Sequence, residues 1–195
     1  LDELRQHRKG IFVVAAGSRA TPEYLEQIAA DTGRPAFMVT VLTMYNRAQP
    51  DTALQYYERC AAAPARGREV YIHTSCQPLS FDFTLREPYI LYSHDAFDRV
   101  KAAAPDERAA IYRDPAFRAR LKENFRSPKP GILFYGDWSQ VERDGVPVSE
   151  LSSQPLDYVF DLPLDTQLVA KLYQNDDRGV APLLRHRAGV IALSD

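Results

Sequence analysis

Sulfur ligands and imidazoles are scarce in this sequence, and long apolar runs are missing. Two cysteines, Cys60 and Cys76, stand in 195 residues. They lack metal-pair spacing and cannot build a disulfide framework, which predicts a reducing compartment, the cytoplasm. Of the four histidines, none falls in a His-x-His or His-Glu-x-x-His pattern, so no compact metal motif is present. No run approaches the ~18 apolar residues of a membrane span, and no signal-peptide pattern is visible. The formal net charge of −2 gives no general attraction to nucleic acid or acidic lipid. The Gly-x-Gly-x-x-Gly fingerprint, the P-loop lysine and the Gly-x-Ser-x-Gly elbow are all absent. Partners made of nucleic acid or membrane are therefore not expected.

What the chain does have is alternation. It is 45% hydrophobic and 26% charged, enough for one domain with a substantial core. Ile11 to Ala16 is a continuous apolar, β-branched run, which predicts a strand covered on both faces. Thr21, Pro22 and Glu23 then open a helix: a cap, a residue with φ already set, and a carboxylate at the positive helix end. Gly33 ends it. Ala36 to Thr43 predicts a second buried strand, Pro50 and Asp51 a second helix, and Glu69 to Thr74 a third strand. This spacing implies parallel βαβ units. Gly131 to Tyr135 (GILFY) predicts a fourth strand, residues 177–187 a last helix, and Val190 to Ser194 a fifth strand.

Between them the composition shifts. From Pro78 to Trp138 the chain is rich in proline, charge and aromatics, which reads as an insertion or lid within a single α/β segment spanning residues 1–195. Helices are expected over Asp95 to Ala104 and Asp114 to Phe125. Phe117, Leu121 and Phe125 then form a stripe suited to packing rather than to a ligand.

Alternating strands and helices leave an open doubly wound sheet or part of a (β/α)8 barrel. In both, functional residues gather at strand carboxyl ends. Gly17, Ser18 and Arg19 could cradle an anion at the following helix start, or simply form a capped turn. Thr40 to Thr43 offers hydroxyls and no base. His73, Ser75 and Cys76 could supply a base, a metal ligand or a thiolate, or be a packed histidine and a small apolar cysteine. Asp195, ending an apolar run, could ligate a cation and serve as a general base, or cap a turn.

The final stretch, NDDRGVAPLLRHRAGVIALSD, resembles the segment before the last barrel strand of the D-aminoacylase-type amidohydrolases, the N-acyl-D-amino-acid deacylases. The parts that carry the likeness are Asn175, Asp176, Leu183, Leu184, His186, Ile191, Leu193, Ser194 and Asp195. TGRPAFMVTVL, the strand after Gly67 and the DPAFRARL helix are also similar. The resemblance implies the later part of a metal-dependent TIM barrel. It implies one or two zinc ions and a small-molecule amide substrate, an N-acyl-D-amino acid or a related amide. Asp195 would match the last-strand aspartate that touches the metal and takes a proton from its bound water. Arg19 and Arg86 are candidate clamps for a substrate carboxylate, and His73 is a candidate replacement metal ligand.

The chain departs from the pattern. The His-x-His of the first strand is absent, and no histidine stands in Ile11 to Gly17 or Val39 to Thr43. A chain running from Leu1 to a strand-terminal Asp195 is expected to be a piece of a longer polypeptide. Its partners would be the remainder of its own barrel and, through open sheet edges, a homo-oligomer. The isolated segment is expected to be inactive. The alternatives are a catalytically inactive amidohydrolase-like binding or structural protein, and a phosphate- or nucleotide-binding α/β domain.

Overall fold

The computed structural model describes residues 1–7, 9–15, 17, 19–39, 43–129 and 131–191. The protein is α/β and divides into two compact units: Leu1 to Leu79 with Tyr173 onward, and Ser80 to Leu172. In chain order the first unit opens with α1 (Asp2–His7), β1 (Phe12–Ala15), α2 (Pro22–Thr32), β2 (Ala36–Val39), α3 (Pro50–Ala61) and β3 (Val70–Thr74). The path continues through β4 (Leu79–Phe83), α4 (Asp98–Ala102), α5 (Arg108–Arg113), α6 (Pro115–Arg126), β5 (Val141–Arg143) and β6 (Val146–Pro147). It then runs through α7 (Val148–Leu151), α8 (Pro155–Phe160) and β7 (Leu168–Tyr173), and returns to the first unit as α9 (Asp177–Leu184) and β8 (Gly189–Ile191).

The strands of the first unit pair in the order β1-β2-β3-β8, each parallel to its neighbour. The expected helix signals act as read. Thr21 Oγ1 accepts from the Tyr24 backbone N–H at 3.3 Å, Pro22 sits in the first turn, and Gly33 closes α2. α9 is capped by Asp176, whose carboxylate accepts from the Arg178 N–H at 3.0 Å.

Among the described residues, α2, α3 and α9 pack on one face of the sheet. Leu25 and Ala29 of α2, Tyr57, Cys60 and Ala61 of α3, and Leu183 of α9 share a single core with Ala36, Met38, Val70 and Ile72. Leu25, Met38 and Ile72 are fully buried, worth about 1.5–3 kcal/mol each in transfer from water. Alternate residues point the other way. There Val13 is 45% exposed and Val190 39% exposed, while Phe37, Val39, Tyr71 and His73 are half-buried. The apolar run of β1 therefore does not mean helices on both faces, as its composition implied.

The second unit holds a sheet of order β4-β7-β5-β6, with β5 antiparallel to both β6 and β7. The β5–β6 turn is Asp144-Gly145, with φ of 53° and 79°, the paired positive values a tight two-residue hairpin requires. The core is aromatic. Phe97, Tyr112, Phe117, Phe134, Trp138 and Phe160 are all buried. Their rings meet at centroid distances such as 4.9 Å for Phe134–Trp138 and 5.3 Å for Phe97–Phe117, both steeply inclined. Each such pair adds about 0.5–1.5 kcal/mol beyond area burial. Phe117 and Leu121 are buried, so the stripe on α6 is packing, and Asp114 caps that helix.

GILFY is not a strand. Ile132 and Phe134 are buried, but the Phe134 carbonyl is taken by the His94 ring, whose Nε2 donates to it at 2.9 Å. A side chain thus fills the bond a sheet ladder would have used. The unit also runs past Trp138 to Leu172, because Val141, Val148, Val159 and Phe160 belong to its buried set. Phe97 and Trp138 serve the core of this unit, whereas Tyr89 is exposed.

Candidate functional site

The carboxyl ends of β1, β2 and β3 lie at one end of the first unit, because the strands are parallel and adjacent. His73 is the next-to-last residue of β3 and points to the face without helices. Its burial alternates with that of Ile72 and Thr74. Its ring lies 5.0 Å from that of Phe37 at 59°, and Phe37 in turn lies 5.3 Å from Tyr71. Neither ring nitrogen of His73 bonds to a described residue. The result is a half-buried imidazole beside the Phe37 ring, which in turn contacts Tyr71.

Its sequence neighbours are differently employed. Thr74 turns inward, and its hydroxyl shares a 2.7 Å hydrogen bond with the Tyr57 phenol. Burial pushes the Tyr57 phenol up to about 12, so it stays protonated. The Ser75 hydroxyl donates to the Gln77 carbonyl and accepts from the Gln77 N–H, both at 3.1 Å. It forms a local turn rather than pairing with His73. Cys76 is exposed; Cys60 is buried in α3, and burial pushes its thiol up to about 12, which makes it inert.

Arg19 follows β1 and is exposed, with no ion pair among the described residues. Ser18 lies outside them. The start of α2 beside Arg19 already has Thr21 as its cap. Arg86 lies in the second unit. Its guanidinium donates to both carboxylate oxygens of Asp165, at 2.6 and 2.9 Å, and to Asp106 at 2.6 Å. These carboxylates hold it still further above its ordinary pKa range. In this structure Arg86 ties three segments of its own unit together. Asp195 lies outside the described residues, as do Thr40 of the second strand end and Ser194.

The residue that sequence reasoning passed over is Gln174, the first after β7. It is 4% exposed and has a φ of 55°, rare for a residue with a side chain. Its side-chain carbonyl accepts from the Tyr45 N–H at 2.8 Å, and its side-chain amide donates to the Ser75 carbonyl at 2.6 Å. No local sequence signal marks it.

Among the described residues no group of three or more His, Cys, Asp or Glu is placed to hold a metal ion. One imidazole does not fit a zinc centre, which takes at least three protein ligands. Among the same residues no helix is long and apolar enough to cross a membrane. No protein-family model, no curated protein and no solved structure matches this chain.

Proposed function

We propose that this chain is an arc of a (β/α)8 barrel of the amidohydrolase type, from an enzyme that hydrolyses N-acyl-D-amino acids or related amides. The observation that carries the reading is His73: an imidazole with no hydrogen bond among the described residues, near the carboxyl end of a parallel strand and on the face opposite α2, α3 and α9. Two features of the first unit support the barrel. The strands follow one another in sequential order apart from the excursion before β8. Among the described residues, the helices that join its core, α2, α3 and α9, pack on one face, whereas a doubly wound sheet carries helices on both. In a closed barrel the open face is the interior, and ligands bind at the strand carboxyl ends.

Zinc belongs to this reading as a property of the whole enzyme, held mainly by residues beyond those described, so no step is assigned through it. Phe37 and Tyr71 would flank a planar amide, His73 would offer a nitrogen to a ligand or a proton, and Asp195 is carried as the candidate base on resemblance alone. The aromatic flanks favour a second reading, an amidohydrolase-like protein that binds planar amides without cleaving them.

The test is elemental analysis of the full-length parent beside His73→Ala and Asp195→Ala, with turnover of an N-acyl-D-amino acid measured in each. About one or two zinc ions per chain, reduced in the variants together with turnover, is the expected result. A metal-free, inactive parent that still binds amides would replace hydrolysis with the second reading.

A further inference from the structure

Gln174 holds together two loops that the chain presents at the same end of the parallel sheet. The loop after β2 brings Tyr45, and the loop after β3 brings Ser75. Tyr45 is gripped from both sides of its peptide. Its N–H donates to the Gln174 side chain at 2.8 Å, and its carbonyl accepts from the Gln174 N–H at 2.9 Å. The other arm of the Gln174 amide reaches the Ser75 carbonyl at 2.6 Å. The Tyr45 ring is held as well: it lies against α9 where residue 179 is glycine. A Cβ there would stand 2.2 Å from the ring, so only glycine permits this approach.

A left-handed backbone at a non-glycine residue is retained only where its surroundings over-determine it, and such residues gather at functional sites. Here every polar atom of a buried Gln174 amide is aimed at a loop, none at the sheet. The bonded groups are the backbone of the segments that follow two strand carboxyl ends, one of them two residues past His73.

We propose that Gln174 is a positioning residue: a clasp that fixes the loops after β2 and β3 in a single arrangement at the ligand-facing end of the sheet. It rests on the reading of that end as the ligand side. The test uses neither ligand nor metal, so failure of the hydrolase reading leaves its outcome intact.

Amide hydrogen exchange separates a clasp from a general stabiliser. Three N–H groups serve as probes: Tyr45, bonded to Gln174; Gln77, in the turn beside Ser75; and Ile72, which donates to the Ala188 carbonyl at 2.8 Å inside the sheet. Gln174→Gly removes both side-chain bonds and relieves the left-handed backbone. It is expected to speed exchange about tenfold at Tyr45 and Gln77, the effect of losing one ordinary hydrogen bond, and to leave Ile72 unchanged. Gln174→Glu keeps the acceptor for Tyr45 but loses the donor for Ser75, so Gln77 should exchange faster while Tyr45 stays protected. Wild-type rates at both loops, or equal acceleration at all three probes, would overturn the proposal. Should Gln174→Gly fail to fold, Gln174→Glu decides alone: split behaviour supports the clasp, and uniform behaviour overturns it.

Discussion

Deleting the Tyr57 hydroxyl should expose how strongly α3 is tied to β3. The phenol and the Thr74 hydroxyl lie 2.7 Å apart, and neither residue is more than 1% exposed. Tyr57→Phe strands the Thr74 hydroxyl away from water, and Thr74→Val strands the phenol. Each should destabilise the first unit by about 1–3 kcal/mol, the desolvation of one unpaired polar group. The double variant strands nothing, so its loss should fall short of the sum by about 1 kcal/mol. Unfolding of this unit can be followed by urea-dependent labelling of Cys60, whose buried thiol reacts only when the unit opens. That probe keeps the second unit out of the signal. Because burial pushes Tyr57 up to about 12, the coupling should be the same at neutral and mildly alkaline pH. Additive single effects, with coupling below about 0.3 kcal/mol, would refute the claim that these hydroxyls depend on each other.

Three further outcomes follow from local chemistry. Arg59 holds the Glu23 carboxyl down at about 2 against an ordinary 4.5. A depressed carboxylate stabilises above its unfolded pKa, so wild type should lose stability as pH falls from about 4.5 toward about 2. Glu23→Gln should flatten that slope in acid unfolding, by only ~0.5 kcal/mol, since the side chains are 45% and 63% exposed. His94 is held below its ordinary pKa by burial, against the opposing pull of the Phe134 carbonyl. The unfolded chain therefore binds the extra proton, and stability should decline as pH drops below about 6.5; a His94→Gln variant measured by urea unfolding should lack that decline. Gly145→Ala forces a side chain into φ of 79° and should lower the melting temperature by an amount equivalent to about 1–2 kcal/mol, whereas Asp144→Asn should be close to neutral.

The parallel sheet was legible because its signals are local and redundant. Long apolar runs precede the helices, and Thr21 with Pro22 at α2, or Pro50 with Asp51 at α3, mark where each helix begins. The face that those strands leave open was not legible, since a run such as FVVA has the same composition whether one side or both are covered. GILFY misleads for the opposite reason: its apolar residues are buried, but among aromatic rings and under a histidine bond. The second sheet left signals that were passed over. Asp144-Gly145 between alternating residues is a hairpin turn, and Leu168 to Leu172 alternates buried and half-buried positions. At the site, His73 could be singled out from its place at a strand end. Gln174 could not, because its partners Tyr45 and Ser75 lie 129 and 99 residues away in sequence and its backbone conformation has no glycine to announce it.

The excursion between β3 and β8 bears on how the chain is made. Residues 80–172 are contiguous, so they can fold as soon as they leave the ribosome. β8 pairs with β3 only after that whole stretch has been synthesised, a non-local pairing of the kind that slows folding. The excursion begins in β4 and ends in β7, and those two strands are neighbours in one sheet. Once the second unit has folded, the long loop between the two halves of the parallel sheet is already closed, and its entropy no longer weighs against the last pairing. Folding of residues 80–172 therefore lowers the entropic cost of the last pairing in the parallel sheet, that of β8 with β3.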